Sequence, residues 1–308
     1  MYDDTIQPVY HLTRYMQNVK KKFHISWFDV ILYLILAVIC LLFFYPLYYI
    51  FVASLSSPLY VFNNPILVIP KDVTLYNYQM MMESESVWIG YRNTLIYVVA
   101  GTALNVVVTF ITAYAMAQPY LPAKRVLSFL IVFTMFFSGG MIPTFLVVKG
   151  LGLLDSIWAI ILPGAVSTWN LLITRTYLME QIPHELNEAA EVDGAGEYRT
   201  FFQIVLPLSA PILIVITLFY ASGHWNSWFN ALIYLRDRDM YPLQIFLREM
   251  LIENQSVDMM SEAGSDRSLY LLTLKYAVMS ISILPLMIIF PFVQKHFVKG
   301  VMIGAIKG

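Results

Sequence analysis

Long apolar runs are the feature of this sequence that most restricts its fold. Six segments contain few charges, and each is near or above the length of about 20 residues that a helix needs to cross a hydrocarbon layer about 30 Å thick. Only 13% of the 308 residues are charged, whereas soluble domains carry roughly a quarter. We therefore predict an all-α membrane protein with six transmembrane helices in one domain, residues 28–294.

The connections between the predicted helices differ in length. The spans are placed at about 28–53, 92–117, 126–148, 156–179, 208–235 and 270–294. Three connections are long, at 56–91, 180–207 and 236–269, and a polar and basic arm, 1–27, precedes the first span. A tail, 295–308, follows the last. No small-residue cleavage pattern follows the first apolar run, so we interpret it as a retained helix rather than a signal peptide.

Lysine and arginine positions indicate the orientation. With the amino-terminal arm inside, eleven of the 19 lysines and arginines fall in inner segments and seven in outer segments, most of these in two loops of about 35 residues. Short loops and flanks carry more weight than long loops. We therefore predict that both termini and the segment 180–207 are cytoplasmic, and that 56–91 and 236–269 are outer loops.

Several motifs of catalysis and nucleotide binding are absent from the sequence. No Gly-x-x-x-x-Gly-Lys-Ser/Thr run occurs, and the five histidines and single cysteine show no metal-ligand spacing. The net charge is −1, and no basic stripe indicates a nucleic acid partner. The span centres carry no buried carboxylate of the kind that ion-driven carriers use. We predict no enzymatic activity and no bound metal or cofactor.

The connection 180–207 contains the most distinctive local pattern. Leu186, Ala189 and Ala190 are three and four residues apart, so they form one small apolar face of a short helix. Gly194 then supplies the backbone freedom that ends this helix, and a second helix leads to the next span. Physical reasoning alone leaves two interpretations open, a protruding helix-turn-helix and an amphipathic connector at the membrane surface.

This pattern resembles the EAA loop of ABC importer permeases, and we call residues 180–207 the EAA loop. The family pattern is Glu-Ala-Ala, a glycine four residues later and Ile-x-Leu-Pro at the far end. The matching residues are Glu188, Ala189, Ala190, Gly194, Ile204, Leu206 and Pro207. The resemblance implies that the loop couples to the ATPase through Glu188, Ala189, Ala190, Asp193, Gly194, Leu206 and Pro207.

The resemblance also implies a fold and a set of partners. The fold is that of a type I ABC importer permease in a bacterial cytoplasmic membrane, with a related sister permease as heterodimer partner. ATP and Mg bind to a separate dimer of ATP-binding subunits, and an extracytoplasmic solute-binding protein delivers the substrate. Closing of the ATPase dimer would move the EAA loop as a rigid lever. A facilitator or a structural scaffold remains the competing class.

Four further segments resemble the carbohydrate branch of the family, and within it the permeases of lipoprotein and polysaccharide transport and the smaller maltose-type subunit. They are Gly-Met-Ile-Pro-Thr at 140–144, Gly-Leu-Gly-Leu-Leu-Asp at 150–155, Trp-Asn-Ser-Trp at 225–228 and the tail at 297–308. The resemblance implies an oligosaccharide as substrate, such as a complex glycan fragment.

Aromatic and amide side chains suggest where such a sugar would pass. The candidates are Asn170, His224, Trp225, Asn226, Trp228 and Asn230. An aromatic belt with asparagines that pack between helices is the alternative. For Asn105 and Asn170, hydrogen bonding between helices is the favoured interpretation. The loop 236–269 has two open interpretations, a segment that reaches into the binding protein and an acidic, solvated cap.

Overall fold

A computed structural model describes residues 26–260, 273–289 and 291. Of the predicted arm 1–27, only the last two residues are described, and the outer loop 236–269 is described as far as residue 260. Both ends of the sixth span and all of the tail lie outside the described residues. The described chain is mostly helical and contains no strand. It divides into two compact units, Met1–Ile50 and Phe51–Gly308.

We number the helices in chain order. They are α1 Trp27–Leu55, α2 Pro58–Asn63, α3 Tyr76–Glu83, α4 Glu85–Ala117, α5 Lys124–Phe136, α6 Met141–Gly150, α7 Ile157–Ile161, α8 Thr168–Gln181, α9 His184–Val192, α10 Glu197–Thr200, α11 Leu206–Leu208, α12 Ala210–Trp225, α13 Trp228–Tyr234, α14 Leu243–Met260 and α15 Thr273–Ile289. Two 3-10 turns, Leu162–Gly164 and Arg238–Met240, and a π-helical turn, Phe201–Val205, complete the described elements.

Two of the described helices, α1 and α4, are each long and apolar enough to cross a membrane. None of the residues 26–50 in the first unit is buried, as expected for an apolar helix whose solvent is lipid. Three bent helix pairs pass the same test together, which gives up to five spans if each pair is one span, and α15 is a shorter apolar helix. The described structure therefore fits a protein that crosses the membrane several times.

The predicted span 126–148 is not a single straight helix. The structure divides it into α5 and α6, which meet at 115°. Gly140 in the break has φ +86°, a conformation that glycine adopts at little cost and that other residues rarely reach. The apolar pattern continues through this sharp turn and therefore did not predict it.

Two other predicted spans are also interrupted, in each case by groups that compete with helical hydrogen bonding. In 156–179, Pro163 lies in the 3-10 turn and the chain restarts at α8, where Ser167 caps the helix by accepting from the Asn170 amide. In 208–235, the Ser227 hydroxyl donates to the His224 carbonyl at 2.8 Å, and the helix ends before α13 begins.

Helix α4 is the centre of the second unit. It packs against α12, α8 and α14, and its buried face carries small residues such as Gly101, Thr94 and Thr109. Small side chains allow close approach between helices, which is how membrane helices gain packing contacts. In the carboxyl-terminal part of this face, Phe110, Ala113 and their neighbours on α8 form a buried apolar cluster.

The amino-terminal part of α4 holds the connection between α13 and α14. The Asn93 amide donates to the carbonyls of Asp239 and Tyr241 at 2.6 and 3.1 Å, and the Tyr97 hydroxyl donates to the Met240 carbonyl at 2.6 Å. The first amide of α14, at Leu243, donates to the Thr94 hydroxyl at 3.0 Å. These bonds fix the position at which α14 begins on α4.

Gly90 should be intolerant of a side chain because α14 crosses α4 there. An alanine Cβ would lie 2.9 Å from the Leu243 Cα and from the Phe246 ring. We expect Gly90→Ala to destabilise the protein by about 1–3 kcal/mol, since a backbone atom cannot move aside cheaply. Thermal unfolding of the purified protein tests this, with Gly150→Ala as control because no atom lies within 4 Å of its Cβ position. Equal stability of the two variants would contradict the expectation.

Candidate functional site

The EAA loop forms a helix, a tight turn and a second helical segment. Helix α9 ends in a Schellman motif, in which the Ala195 amide donates to the Ala190 carbonyl at 2.8 Å and the Gly194 amide donates to the Glu191 carbonyl at 2.9 Å. Gly194 has φ +76°, as this motif requires, and Asp193 is the last residue before it. The glycine of the family pattern is thus a requirement of the backbone.

The side chains of this loop are unevenly buried. Ala190 is 6% exposed, whereas Val192 and Tyr198, on either side of the turn, are 88% and 85% exposed. Glu188 and Ala189 are also exposed. The tip of the loop therefore presents one aliphatic and one aromatic side chain to its surroundings.

The second segment of the loop is attached firmly to α4. The Phe201 ring lies 5.6 Å from the Phe110 ring and 4.9 Å from the Tyr114 ring, measured between centroids. Val205 is 1% exposed and Leu206 packs against the same cluster, whereas Pro207 is exposed. The second segment is thus packed against α4 and leads into the bend of 75° that precedes α12.

A hydrogen bond joins the loop to the end of α4. The Tyr120 hydroxyl donates to the Glu197 carboxylate at 3.1 Å. Burial, together with this bond, raises the pKa of Tyr120 above its ordinary value. The shift favours the protonated phenol, which is the form that donates to Glu197.

A cavity of about 590 Å³ lies at the opposite end of α12 from the EAA loop. Four of the six sugar-path candidates line it, namely Asn170, His224, Asn226 and Asn230. Its wall also includes Asn105, Ile160, Gly164, Ser167, Trp169, Phe219, Tyr220, Gly223, Ser227 and Phe229. Its volume falls within the range of about 300–1,000 Å³ that is usual for small-molecule sites.

Asn105 of α4 joins the two other parts of the polar wall, which come from 164–170 and 220–230. The Asn105 amide donates to the Gly164 carbonyl at 3.4 Å and lies 3.0 Å from the His224 Nε2. Gly101 makes room for the His224 ring, since a Cβ there would lie 2.4 Å from Nε2. The Tyr220 hydroxyl is fully engaged, being 2.6 Å from the Thr109 hydroxyl and accepting from the Ser167 amide at 2.9 Å.

The other two sugar-path candidates lie outside the cavity. Trp225 is 5% exposed and its ring meets the Tyr91 ring edge-on at 6.4 Å. The Trp228 ring lies under the Arg248 guanidinium at 5.1 Å, a cation–π contact. Both side chains are used in packing, because a helix turns by about 100° per residue and cannot direct all neighbouring side chains to one side.

Among the lining residues that were not sugar-path candidates, three have side chains suited to a sugar, namely Asn105, Trp169 and Phe229. Asn105 was interpreted as a packing residue, and it does bond other helices, but it also lines the cavity. Trp169 and Phe229, which are 57% and 49% exposed, were not singled out. Each stands next to a candidate amide, Asn170 or Asn230, so the pairing of aromatic and amide neighbours was the signal available.

Across 26–260 and 273–289, no three His, Cys, Asp or Glu side chains come together as metal ligands. The features that stand out are a cavity lined by uncharged polar groups and an exposed helical loop, which both contact α4, in a chain with helices apolar enough to cross a membrane. These features are those of a membrane permease subunit.

Comparison with known proteins identifies the family. The sequence profile of the "Binding-protein-dependent transport system inner membrane component" family matches residues 94–303. This chain belongs to that family, which is not itself catalytic, and it is a component of the cytoplasmic membrane.

Relatives and a solved structure agree with this assignment. The chain is 39% identical to the polygalacturonan/rhamnogalacturonan transport system permease YtcP of Bacillus subtilis, over 91% of this chain and 98% of that protein. It is also 39% identical to LplC of the same organism, over 85% and 89% of the two chains. A crystal structure of a bacterial ABC transporter that imports the acidic polysaccharide alginate matches with a TM-score of 0.79 and 32% identity, over 88% and 96%.

These findings confirm the predicted resemblance to the carbohydrate branch of ABC importer permeases. They also confirm the type I permease fold. The number of spans and the side on which the termini lie stay predictions.

Proposed function

We propose that this chain moves oligosaccharides, such as complex glycan fragments, across the cytoplasmic membrane as one half of a heterodimeric, ATP-driven importer. A sister permease completes the pathway, an extracytoplasmic binding protein delivers the sugar, and a separate ATPase dimer binds ATP and Mg. The names of relatives that transport polygalacturonan, rhamnogalacturonan and alginate support a sugar as the substrate. The absence of a P-loop in the sequence supports a separate motor.

We further propose the topology deduced from the sequence. Six spans lie in the domain 28–294, and both termini and the EAA loop face the cytoplasm. In this scheme α5 with α6 and α7 with α8 each act as one span, and α12 with α13 forms the span 208–235. The loop 236–269 and the tail 295–308 are then available to the binding protein and to the ATPase, respectively.

The observation that carries the proposal is the geometry of the EAA loop. Val192 and Tyr198 are exposed at its tip while Phe201 is packed on α4. In this proposal the tip occupies a cleft of the ATPase. Glu188, Ala189 and Ala190 form the seated helix, Asp193 and Gly194 form its turn, and Leu206 and Pro207 connect it to the next span.

A pair of charge substitutions tests this assignment. We expect Val192→Glu and Tyr198→Glu to lower co-purification of the ATPase by at least about tenfold, because each buries a carboxylate at the contact. Their side chains are almost fully exposed, so folding of the permease should be unaffected. Val73→Glu, at a residue that is 64% exposed outside the EAA loop, is the matched control. Unchanged ATPase binding in both loop variants would refute the coupling role.

The cavity supports a route for the sugar. Asn170, His224, Asn226 and Asn230 place amide and imidazole groups around a space of about 590 Å³. Amides pair with hydroxyl groups as donor and as acceptor. We assign these four residues to the sugar path, and leave Trp225 and Trp228 as residues that support it by packing.

A further inference from the structure

The cavity has a specific chemical character that goes beyond a general route for sugar. Its lining includes four asparagines but no aspartate, glutamate, lysine or arginine. The one imidazole in the lining, that of His224, is 7% exposed and already lies within hydrogen-bonding distance of Asn105. The wall therefore offers dipoles and no compensating charge.

One of these amides retains unused hydrogen-bonding capacity. The Asn105 Oδ1 is buried without a partner among the described residues. Asn170 is 5% exposed and lines the same cavity. A buried amide atom without a partner costs free energy, so the Asn105 oxygen is suited to a ligand that supplies a hydroxyl group.

Aromatic faces stand beside the amides. Trp169 and Phe229 are 57% and 49% exposed and both line the cavity. An exposed ring next to amides matches the two surfaces of a pyranose, whose C–H face is apolar and whose edge carries hydroxyls. A lipid tail has no hydrogen-bonding groups and would leave the amides unpaired.

We infer that this cavity is a subsite for an uncharged sugar unit and that it disfavours a sugar carboxylate. This inference rests on the proposed function, because it concerns a sugar within the same transport path. A carboxylate moved from water into this space would find no cation among the described residues of this chain that line it, and an unpaired buried charge is costly. If the imported glycan is acidic, its carboxylates are held elsewhere than against this wall.

Cysteine protection in the assembled importer tests the subsite directly. Gly223 lines the cavity, and no atom lies within 4 Å of its Cβ position. In a Cys40→Ser background, which removes the chain's one cysteine, Gly223→Cys places a thiol in the cavity. Gly150→Cys has equal space outside it and serves as the control. N-ethylmaleimide labelling of this chain is then measured with and without sugar.

The sugars form a pair that differs only in charge: the α-1,4-linked trisaccharide of galacturonic acid and the same trisaccharide with its carboxyls reduced to hydroxymethyl groups. We expect the reduced trisaccharide to slow labelling of Gly223→Cys by about fivefold, and the acid to slow it by less than about twofold. Labelling of Gly150→Cys should respond to neither.

Adding Trp169→Ala should abolish most of the protection, whereas Trp158→Ala, at another half-exposed tryptophan outside the cavity, should not. Equal or better protection by the acid, or no protection by either sugar, would overturn the subsite. The neutral sugar could also protect in a preparation in which the binding protein does not stimulate ATP hydrolysis. That outcome would support the subsite and overturn the proposed function.

Discussion

Replacing Gly194 by serine is expected to lower ATP-driven sugar uptake by about tenfold, while the same replacement at Gly196 leaves uptake near the wild-type value. Gly194 has φ +76° and Gly196 has φ −71°. A serine side chain is strained only in the first case, by about 1–2 kcal/mol. At Gly196, the residue before α10, serine is a favoured helix cap.

The strain translates into a defect in coupling rather than in folding. The free loop relaxes by distorting its exposed turn, and docking on the ATPase must then restore the strained conformation. A cost of about 1.4 kcal/mol corresponds to a tenfold loss of affinity. Uptake and ATP hydrolysis are measured in parallel in proteoliposomes with all partners present. Equal uptake by the two serine variants would show that the turn geometry does not govern coupling.

The second large effect is expected at Gly101, where the sign of the change should depend on His224. Alanine normally stabilises a helix interior by up to about 1 kcal/mol relative to glycine. Here its Cβ would lie 2.4 Å from the His224 Nε2. We expect Gly101→Ala to destabilise the protein by about 1–3 kcal/mol, because the buried ring must move and lose its contact with Asn105.

A double-mutant cycle isolates this clash. In a His224→Ala background the obstacle is gone, so Gly101→Ala should be neutral or stabilising. Gly223→Ala, which meets no atom within 4 Å, is the control in both backgrounds. The apparent unfolding temperature of the purified importer provides the comparison. A Gly101→Ala penalty of the same size with and without His224 would contradict the proposed packing.

Much of the architecture could be predicted because it depends on local sequence. Apolar runs longer than a bilayer crossing require helices, since a backbone in lipid has no other way to satisfy its polar groups. The helix end in the EAA loop could also be predicted. Helices commonly end at a residue in the left-handed conformation, which glycine adopts readily, and Gly194 is that residue here. The family followed from that loop, and the comparisons confirmed it.

The helix breaks could not be read with the same reliability. Apolar residues continue through 126–148, yet α5 and α6 meet at 115°. Likewise, the hydropathy of Ser227 does not reveal that its hydroxyl donates a hydrogen bond to the His224 carbonyl. A hydropathy pattern measures the preference for lipid, which is the same on both sides of a bend.

The cavity shows most clearly what each level of information decides. By itself the sequence determined that the chain is helical, that it lies in a membrane and that residues 180–207 carry the EAA pattern, since each of these depends on neighbouring residues. Only the tertiary structure brought Asn105 of α4 to Asn170 of α8 and His224 of α12, and turned Trp225 and Trp228 away. Residues far apart in the chain meet through helix packing, and the close approach at Gly101 that sets this packing has no signature in hydropathy.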